Sequence, residues 1–380
     1  MKRTAAALAA IALLILPAHA ESGSTPTVSH TAPSALLMEK ETGTILYELD
    51  PHAAYEPASV TKIMTLLLVM EAIDGGQMGW EYMVTASTYA TSMGGSQIWL
   101  KENEQLSVRD MVKAVAVASA NDCAVALAEH IAGSEEAFVA MMNRRAAELG
   151  MEHTGFLNCT GLPAAGHVSC AYDVALMSRE LIRSHPELRE FTTIWMDTLR
   201  DGKFQLSNTN KLIRFYPGAT GLKTGSTDGA LYCLSATAER DGMELIAVVM
   251  HAPTSTDRFE SAKALLNYGF ATYTLMPVYP SQVLSPVPVL LGEADTVQPV
   301  TARECAILVK KTEAGDVTTR MTLAESVEAP VDKGQKLGTL EVFVGGELRD
   351  TINLVAEGSV PRLTAGGIFK SLLHRLFMAK

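Results

Sequence analysis

Residues 59–73 read SVTKIMTLLLVMEAI, and this stretch decides the fold of the 380-residue chain. Nearly every position in it is apolar or small, so it predicts a helix that is buried on all sides instead of along one face. Asp74-Gly75-Gly76 follows directly and ends the helix, because glycine is favoured just past a helix C-terminus. We therefore expect the core of the protein to form around this helix.

Two polar side chains stand at the start of this apolar stretch. Ser59 and Lys62 are three residues apart, which on a helix places their Cβ atoms about 5–6 Å apart on one face. A serine hydroxyl is a poor nucleophile until a base takes its proton, and burial can lower the pKa of a lysine enough for it to act as that base. Taken alone, the pair more often indicates a helix N-cap followed by a solvated charge.

Strand patterns lie at both ends of the segment 34–272, and helix patterns lie between them. The predicted elements are a hairpin over 34–49 that turns at Thr42-Gly43-Thr44, a helical insert over 107–149 that breaks at 132–134, a helix from about Asp173, strands over 221–224, 231–238 and 245–250, and an amphipathic helix over 257–268. This order indicates an α+β domain.

Residues 273–362 have a different texture, with short β-rich stretches separated by prolines. The clearest of them is a strand over 340–344, a two-glycine turn at Gly345-Gly346 and a second strand over 348–354. A shorter one covers 306–309. We expect this segment to form a second, small all-β domain.

The N-terminus predicts export from the cytoplasm. Lys2 and Arg3 precede an apolar run over 5–16 and the small-residue triplet Ala18-His19-Ala20, which is the pattern of a signal peptide cut after residue 20. A transmembrane anchor is the alternative, but a span needs about 20 apolar residues. Residues 21–33 then form a polar leader.

The last fifteen residues, 366–380, predict an amphipathic helix. Apolar side chains fill about half of its helical wheel, and lysine, histidine and arginine fill the rest. In an acidic exported protein we expect such a basic tail to lie in the membrane surface. The alternative is a terminal helix that docks on its own protein.

The composition limits the partners and cofactors. A formal net charge of −11 argues against a nucleic-acid partner, because such proteins usually carry a basic face that neutralises phosphates. No cysteine and histidine cluster has the spacing of a zinc site, so the sequence predicts no metal and no cofactor. We expect most of the five cysteines to be buried thiols, with Cys159 and Cys170 as a candidate disulfide because both lie in one loop-like segment.

Two further short motifs offer polar groups that the Ser59 and Lys62 pair would need. Ser119-Ala120-Asn121 stands at a turn in the helical insert, where a hydroxyl and an amide could orient a lysine and a substrate amide. Lys223-Thr224-Gly225 begins a strand region and offers a cation, a hydroxyl and a glycine, which we expect to let a substrate backbone approach closely. Taken singly, the first is a capping pair and the second an ordinary strand start.

The three motifs occur in the order found in penicillin-binding proteins and class A β-lactamases. Over its mature length the chain resembles the low-molecular-mass penicillin-binding proteins, specifically the D-alanyl-D-alanine carboxypeptidases of bacterial cell walls. The resemblance implies a penicillin-binding/β-lactamase-like transpeptidase domain, in which an antiparallel sheet is flanked by helices and joined by a helical subdomain, with a β-rich second domain and a C-terminal membrane anchor. It also implies peptidoglycan stem peptides as substrates, β-lactam antibiotics as inhibitors and a location on the outer face of the cytoplasmic membrane.

The resemblance assigns catalytic roles to the first two motifs. Ser59 would be acylated by the carbonyl of the penultimate D-alanine, and Lys62 would take and return the proton. Ser119 and Asn121 would complete the second edge of the cleft, Ser119 as a catalytic residue and Asn121 as a substrate-binding one.

The resemblance also implies how the substrate is held. Lys223 would add positive potential, and Thr224 in front of Gly225 would hydrogen-bond the terminal carboxylate of the peptide. The backbone N–H groups of Ser59 and Ser226 would form the oxyanion hole. Arg258 matches the arginine that the family uses near the substrate carboxylate, the alternative being an exposed arginine at a helix start.

Three other functions are weighed against this one. A class A β-lactamase uses a glutamate four residues before an asparagine, whereas Glu152 and Asn158 are six apart here, so a penicillin acyl-enzyme should be long-lived. An endopeptidase acting on cross-linked peptidoglycan would use the same residues and stays open. A wall-binding scaffold with a decayed site should have lost a motif residue, and none is lost.

Other family-like features have weaker implications. His167 and His251 suggest a Ser-His-Asp triad, but Lys62 already fills the position of the base, so we expect both histidines to be structural. Residues 158–169 resemble the loop that follows the helical insert in the family. Residues 92–96, with Gly94-Gly95, correspond to a loop near the family's active site.

Overall fold

The computed structural model describes residues 28–280, 283–303, 305–364 and 366–367. The predicted signal peptide and nearly all of the predicted tail lie outside them. The helices are α1 (Lys62–Asp74), α2 (Thr88–Thr91), α3 (Val108–Ala118), α4 (Asn121–Ala132), α5 (Glu135–Glu148), α6 (Ala171–Ser184), α7 (Arg189–Thr192), α8 (Leu212–Phe215) and α9 (Ser255–Thr272). Short 3-10 helices cover Ala58–Thr61, Pro186–Leu188 and Lys311–Asp316.

The strands fall into two groups along the chain. Those before α9 are β1 (Ser34–Glu39), β2 (Ile45–Leu49), β3 (Met83–Thr85), β4 (Gln105–Ser107), β5 (Met196–Leu199), β6 (Phe204–Ser207), β7 (Ala219–Thr227), β8 (Leu231–Arg240) and β9 (Met243–Ala252). Those after α9 are β10 (Tyr273–Pro277), β11 (Val287–Leu290), β12 (Thr296–Val297), β13 (Pro299–Thr301), β14 (Ala306–Lys310), β15 (Val317–Leu323), β16 (Val327–Glu328), β17 (Lys336–Val344) and β18 (Glu347–Ala356).

An antiparallel sheet with the strand order β2-β1-β9-β8-β7 forms the centre of the first group. β1 and β2 form the predicted hairpin, and β1 pairs with β9 so that Ser34 lies opposite Met250. The predicted α+β fold is therefore confirmed. β7 is an edge strand of this sheet in the described part of the chain, and an edge strand can accept an added strand.

The apolar stretch over residues 59–73 forms the predicted central, buried helix, α1. Residues 62–70 are all buried, and α1 packs against α4, α5 and α6 and against β7. One detail differs from the prediction, because Ser59 lies in the 3-10 turn before α1 and not in the α-helix itself. Ala58 adopts a φ of +47° and Val60 N–H donates to Pro57 O (3.2 Å), so the chain enters α1 through a tight turn.

The helical insert consists of α3, α4 and α5. The predicted break at 132–134 is confirmed, since Gly133 ends α4 with a φ of +83°. A second break falls at Ser119, which has a φ of +63° and ends α3, and α4 begins at Asn121. The predicted turn at residues 119–121 is thus a sharp corner between two helices.

The segment after α9 has its own layers and its own core. β13, β18, β17 and β15 form one antiparallel sheet, and Gly345 and Gly346 make the predicted turn between β17 and β18 with positive φ angles. Leu340, Val342 and Leu354 are buried in a core that is separate from the one around α1. β10 begins at the residue after α9 and pairs with β14, so the two segments are joined without a linker.

The five cysteines are free thiols, and the prediction that most of them are buried is confirmed. Cys123, Cys159, Cys170 and Cys233 are buried, whereas Cys305 is half-buried. The candidate disulfide between Cys159 and Cys170 is absent, since the Cys159 thiol lies in the core around α1 and the Cys170 thiol accepts a hydrogen bond from Asp173 N–H. Among the described residues, none of the helices has the length and apolar character needed to span a membrane.

Candidate active site

The structure brings Ser59 and Lys62 into direct contact. Lys62 Nζ donates a hydrogen bond to Ser59 Oγ (3.0 Å) and another to Thr160 O (2.7 Å). The lysine side chain is completely buried, and this burial lowers the pKa of Lys62 to about 7. A large share of the molecules therefore carries a neutral amine at neutral pH, next to a hydroxyl whose proton it can accept.

A loop after α5, residues 158–162, holds the second partner of Lys62. Asn158 Oδ1 accepts hydrogen bonds from the N–H groups of Thr160, Gly161 and Leu162, the shortest being 2.7 Å from Gly161. Gly161 has a φ of +84°, and a Cβ on it would lie 1.8 Å from Ala58 O. The loop is thus packed against the turn that carries Ser59.

Sequence reasoning treated this loop only as family-like and missed the roles of Asn158 and Thr160. A usable signal was present, because an asparagine three residues before a glycine is typical of a turn closed by the asparagine side chain. The peptide carbonyl that contacts Lys62 could not be identified, since every residue in the loop offers one.

The turn between α3 and α4 contributes Ser119 and Asn121. Ser119 Oγ is buried and has no hydrogen-bond partner among the described residues. Asn121 Nδ2 donates to Gly94 O (2.7 Å) and Asn121 N–H donates to Ser96 O (2.7 Å), so Asn121 fastens the 92–96 loop to α4. Its Oδ1 atom is also buried without a partner in the described part of the chain.

β7 carries the third motif. Lys223 is buried, and its Nζ donates to Thr224 O (3.0 Å). Burial lowers the pKa of Lys223 well below its usual value, and the nearby charges of Lys62 and Arg258 lower it further. Thr224 Oγ1 donates to Thr209 Oγ1 (2.7 Å), and Thr209 was not predicted from the sequence.

Gly225 lies in close contact with the turn that carries Ser59. A Cβ at Gly225 would lie 2.6 Å from Pro57 O and 3.0 Å from both Ser59 N and Val60 N. The close approach that the structure shows is therefore that of the protein's own turn, which carries Ser59. The neighbouring Ser226 has an exposed side chain.

Arg258 is buried, which excludes the alternative of an exposed arginine at a helix start. Its Nη1 donates to Gly225 O (3.2 Å) and to Cys233 O (3.4 Å), and its guanidinium lies over the rings of Tyr232 and Phe259. Burial lowers the pKa of Arg258 to about 10. The side chain links α9 to β7 next to the third motif.

The two histidines have contacts of a structural kind. His167 is buried and accepts a hydrogen bond from Leu157 N–H at Nδ1 (3.2 Å), which leaves Nε2 as the donor to Thr61 Oγ1 (2.8 Å). Burial lowers the pKa of His167 to about 4, so the ring is neutral. His251 stacks on Tyr55 with ring centroids 4.6 Å apart. Neither ring is hydrogen-bonded to Ser59 in the described residues.

The comparisons with known proteins agree with this geometry. Residues 19–254 match the family model described as D-alanyl-D-alanine carboxypeptidase, and residues 273–362 match the one described as penicillin-binding protein 5, C-terminal domain. D-alanyl-D-alanine carboxypeptidase DacF of Bacillus subtilis is 44% identical over 329 residues, which cover 85% of this chain and 84% of that protein. DacC of Escherichia coli is 33% identical over 88% of this chain and 84% of its own length.

Solved structures of penicillin-binding proteins have the same fold as this chain. Penicillin-binding protein 5 from Haemophilus influenzae superposes with a TM-score of 0.76 at 32% identity and covers 90% of this chain and 100% of its own. Penicillin-binding protein D2 from Listeria monocytogenes, solved in an ampicillin-bound form, has a TM-score of 0.59 at 34% identity and covers 64% of this chain and 100% of its own. This chain therefore belongs to the D-alanyl-D-alanine carboxypeptidases, the serine peptidases among the low-molecular-mass penicillin-binding proteins.

Proposed function

We propose that Ser59 and Lys62 carry the carboxypeptidase reaction that removes the terminal D-alanine from peptidoglycan pentapeptides. The observation that carries this assignment is the 3.0 Å contact between Lys62 Nζ and Ser59 Oγ, made by a lysine that burial brings to a pKa of about 7. A lysine with its usual pKa would be protonated and could not take the serine proton at neutral pH.

The reaction proceeds in two balanced steps. In acylation, Ser59 Oγ bonds to the carbonyl carbon of the penultimate D-alanine, Lys62 takes the hydroxyl proton, and the C–N bond breaks with return of that proton to the leaving amine of D-alanine. In deacylation, water attacks the ester and gives a proton to Lys62, which returns it to Ser59 Oγ. Ser119 Oγ, buried and unpartnered in the described residues, serves in the return of the proton.

The remaining motif residues bind the substrate. The peptide lies along the edge strand β7, where Thr224 hydrogen-bonds the terminal carboxylate. Burial disfavours the charged form of Lys223 in the free protein, and the bound carboxylate favours it, so Lys223 supplies its positive potential when substrate is present. Arg258 adds a second buried positive charge behind Gly225. Asn121, whose Oδ1 atom has no partner in the described residues, accepts a hydrogen bond from a substrate amide.

The oxyanion of the tetrahedral intermediate is held by the backbone N–H groups of Ser59 and Ser226. Two such fixed donors stabilise the developing charge by several kcal/mol. The close packing of Gly225 against Ser59 N supports this role, because it brings β7 beside the serine turn.

A serine variant tests the assignment directly. Ser59→Ala should abolish both the covalent adduct with labelled penicillin and the release of D-alanine from a purified pentapeptide. Release of D-alanine at the wild-type rate by this variant would overturn the proposal. Comparison of the pentapeptide with a cross-linked dimer as substrate separates carboxypeptidase from endopeptidase turnover, and the relatives do not favour the latter.

We further propose that β-lactams acylate Ser59 and leave it slowly. Relatives have been solved in ampicillin-bound and cefotaxime-bound forms. A class A β-lactamase has its deacylating glutamate four residues before an asparagine. Here Asn158 follows Glu152 by six residues, and its side chain accepts hydrogen bonds from its own loop. Intact-mass spectrometry after removal of free penicillin should detect the adduct for many minutes, whereas rapid return to the free mass would indicate a β-lactamase.

Export and membrane attachment are part of the same proposal. Residues 1–20 are removed as a signal peptide, 21–33 lead into the catalytic domain of 34–272, a β domain covers 273–362, and 366–380 anchor the protein to the outer face of the membrane. The basic amphipathic pattern of the tail supports this assignment. Deletion of residues 366–380 should release the protein from membranes with unchanged peptide turnover, and membrane binding of the shortened protein would exclude the tail as anchor.

A further inference from the structure

A second cluster of reactive side chains lies at the end of α1 that is remote from Ser59. Asp74 is the last residue of α1, His185 stands between α6 and the following 3-10 helix, and Glu187 lies on that 3-10 helix. His185 Nδ1 is 3.0 Å from Asp74 Oδ2 and 3.8 Å from Glu187 Oε1. At 1.5 Å per residue, the length of α1 separates this cluster from Lys62 by about 18 Å.

The imidazole of the cluster is buried, and its Nδ1 atom makes no hydrogen bond of good geometry in the described part of the chain. His185 is 4% exposed, and its Nδ1 atom has no hydrogen-bond partner among the described residues although a carboxylate oxygen lies 3.0 Å away. Buried polar atoms are nearly always paired, so this nitrogen needs an explanation. An unprotonated Nδ1 would direct its lone pair at the Asp74 carboxylate, and the two groups would repel each other. A cation bound by both atoms would replace that repulsion with two bonds.

The two carboxylates are available for such a cation. The side chains of Asp74 and Glu187 are 58% and 43% exposed, so an ion can reach them from solvent. In the part of the chain that the structure describes, neither forms an ion pair with a lysine or arginine. The C-terminal end of α1 adds the negative end of a helix dipole beside Asp74, which also favours a cation.

We propose that Asp74, His185 and Glu187 form a binding site for a divalent transition-metal cation of the zinc type. Tetrahedral bonds of about 2.0–2.2 Å from such an ion to nitrogen and oxygen place neighbouring ligand atoms about 3.3–3.6 Å apart. The observed 3.0 Å and 3.8 Å lie on either side of this spacing, and small rotations of the exposed Asp74 and Glu187 side chains bring both into range. The imidazole ligand disfavours calcium and magnesium, which prefer sites made only of oxygen.

The bound ion would join two parts of the fold. It would connect the end of the central helix α1 to the segment that follows α6, with water completing its coordination on the open side. Its role is structural, because the cluster is remote from the reacting atoms. Binding should therefore raise the unfolding temperature without changing the acylation of Ser59.

Metal titration of the full chain tests this site. After chelator treatment and its removal, calorimetric titration with Zn²⁺ should give one equivalent bound with micromolar or better affinity, and Tm should rise by several degrees in excess Zn²⁺. Asp74→Asn and Glu187→Gln, both exposed and expected to fold, should each weaken Zn²⁺ binding about tenfold or more and remove the Tm rise. Co²⁺ added to the metal-free protein should give visible absorption bands that both variants lose.

Two control variants make the result specific. Glu48→Gln removes an exposed carboxylate from β2 and should bind Zn²⁺ as the unaltered chain does. His153→Ala removes one member of a separate histidine pair with His52, whose ring centroids are 5.0 Å apart, and should also bind normally. Absence of saturable Zn²⁺ binding, or its loss in His153→Ala with retention in Asp74→Asn, would overturn the proposal.

Discussion

Burial, more than any neighbouring charge, determines the chemistry of Lys62. Loss of solvent is the largest effect on its pKa, and the nearby groups Cys159 and Asp122 act in the opposite direction. A fall in pKa from 10.5 to about 7 corresponds to roughly 5 kcal/mol against the charged amine.

The pH dependence of acylation follows from this pKa. Because Lys62 must be neutral to accept the Ser59 proton, the rate of acylation by labelled penicillin should rise with pH and level off above a midpoint near 7. Stopped-flow or quenched-flow rates between pH 5.5 and 8.5 check this expectation. A rate that is constant across the range would contradict the role of Lys62 as the base.

We expect Asn158 to act on catalysis through the position of Thr160. Asn158→Ala removes the acceptor of three backbone N–H groups, so the 158–162 loop should loosen and Thr160 O should leave Lys62 Nζ. We expect acylation to slow by about 10- to 100-fold, together with a loss of about 1–3 kcal/mol in the free energy of unfolding. Acylation kinetics and chemical denaturation measure the two effects.

Asn143→Ala is the matched control for this prediction. Asn143 also bonds backbone groups of a neighbouring segment, through Phe156 N–H and Phe156 O, but within the described residues it makes no hydrogen bond to Asn158 or Thr160. It should lower stability by a similar amount and leave acylation by the folded protein unchanged. Equal slowing in both variants would mean that Asn158 acts only through stability.

At the scale of elements, the position of Ser59 is set by three segments that adjoin one short turn. β7 approaches the serine turn through Gly225, the 158–162 loop approaches it through Gly161, and α1 continues from it at Lys62. At either glycine, a Cβ would collide with backbone atoms of this turn. The position of Ser59 therefore depends on backbone contacts at Gly161 and Gly225, and a side chain at either glycine would force the backbone to shift.

Gly225→Ala tests this dependence. The new Cβ would meet Pro57 O at 2.6 Å, so the turn or β7 must shift and the Ser59 N–H must move from its place. We expect acylation by penicillin to fall by about 100-fold or more, since a misplacement of about 1 Å at a reacting group has an effect of that size. Gly229→Ala, in the same hairpin, meets only the flexible end of Glu56 and should acylate nearly normally. Similar rates in both variants would contradict the proposed packing role.

At the scale of the molecule, the chain divides into two parts with separate cores. The core of the β-rich segment centres on residues of β17 and β18, whereas the catalytic part has its core around α1 and on the far side of the central sheet. Among the described residues, contacts between the two parts include the partly buried side chains of Leu275 and Leu308 and a hydrogen bond from Lys311 Nζ to Phe270 O (2.7 Å). All the residues that we propose for the active site lie before β10.

A shortened protein should therefore keep its chemistry. A chain ending at Thr272 loses β10 and everything after it, yet every residue assigned to the site remains. We expect acylation by labelled penicillin within about threefold of the full chain, with a lower Tm because Tyr273 and Leu275 no longer cover part of the core. If the shortened protein folds by circular dichroism but fails to bind penicillin, the β-rich segment contributes directly to the site.

The amino-acid sequence by itself determined the α+β class, the buried helix, the β17–β18 hairpin and the identities of Ser59, Lys62, Ser119 and Lys223 as candidates. These follow from local periodicity, turn residues and spacing along one element, which are visible without a fold. Tertiary structure alone decided that Asn158 and Thr160 hold Lys62, that Gly225 faces the serine turn, that Arg258 is buried and that Asp74 meets His185. Each of these contacts joins residues far apart in the chain, and only the packing of helices and strands brings such residues together.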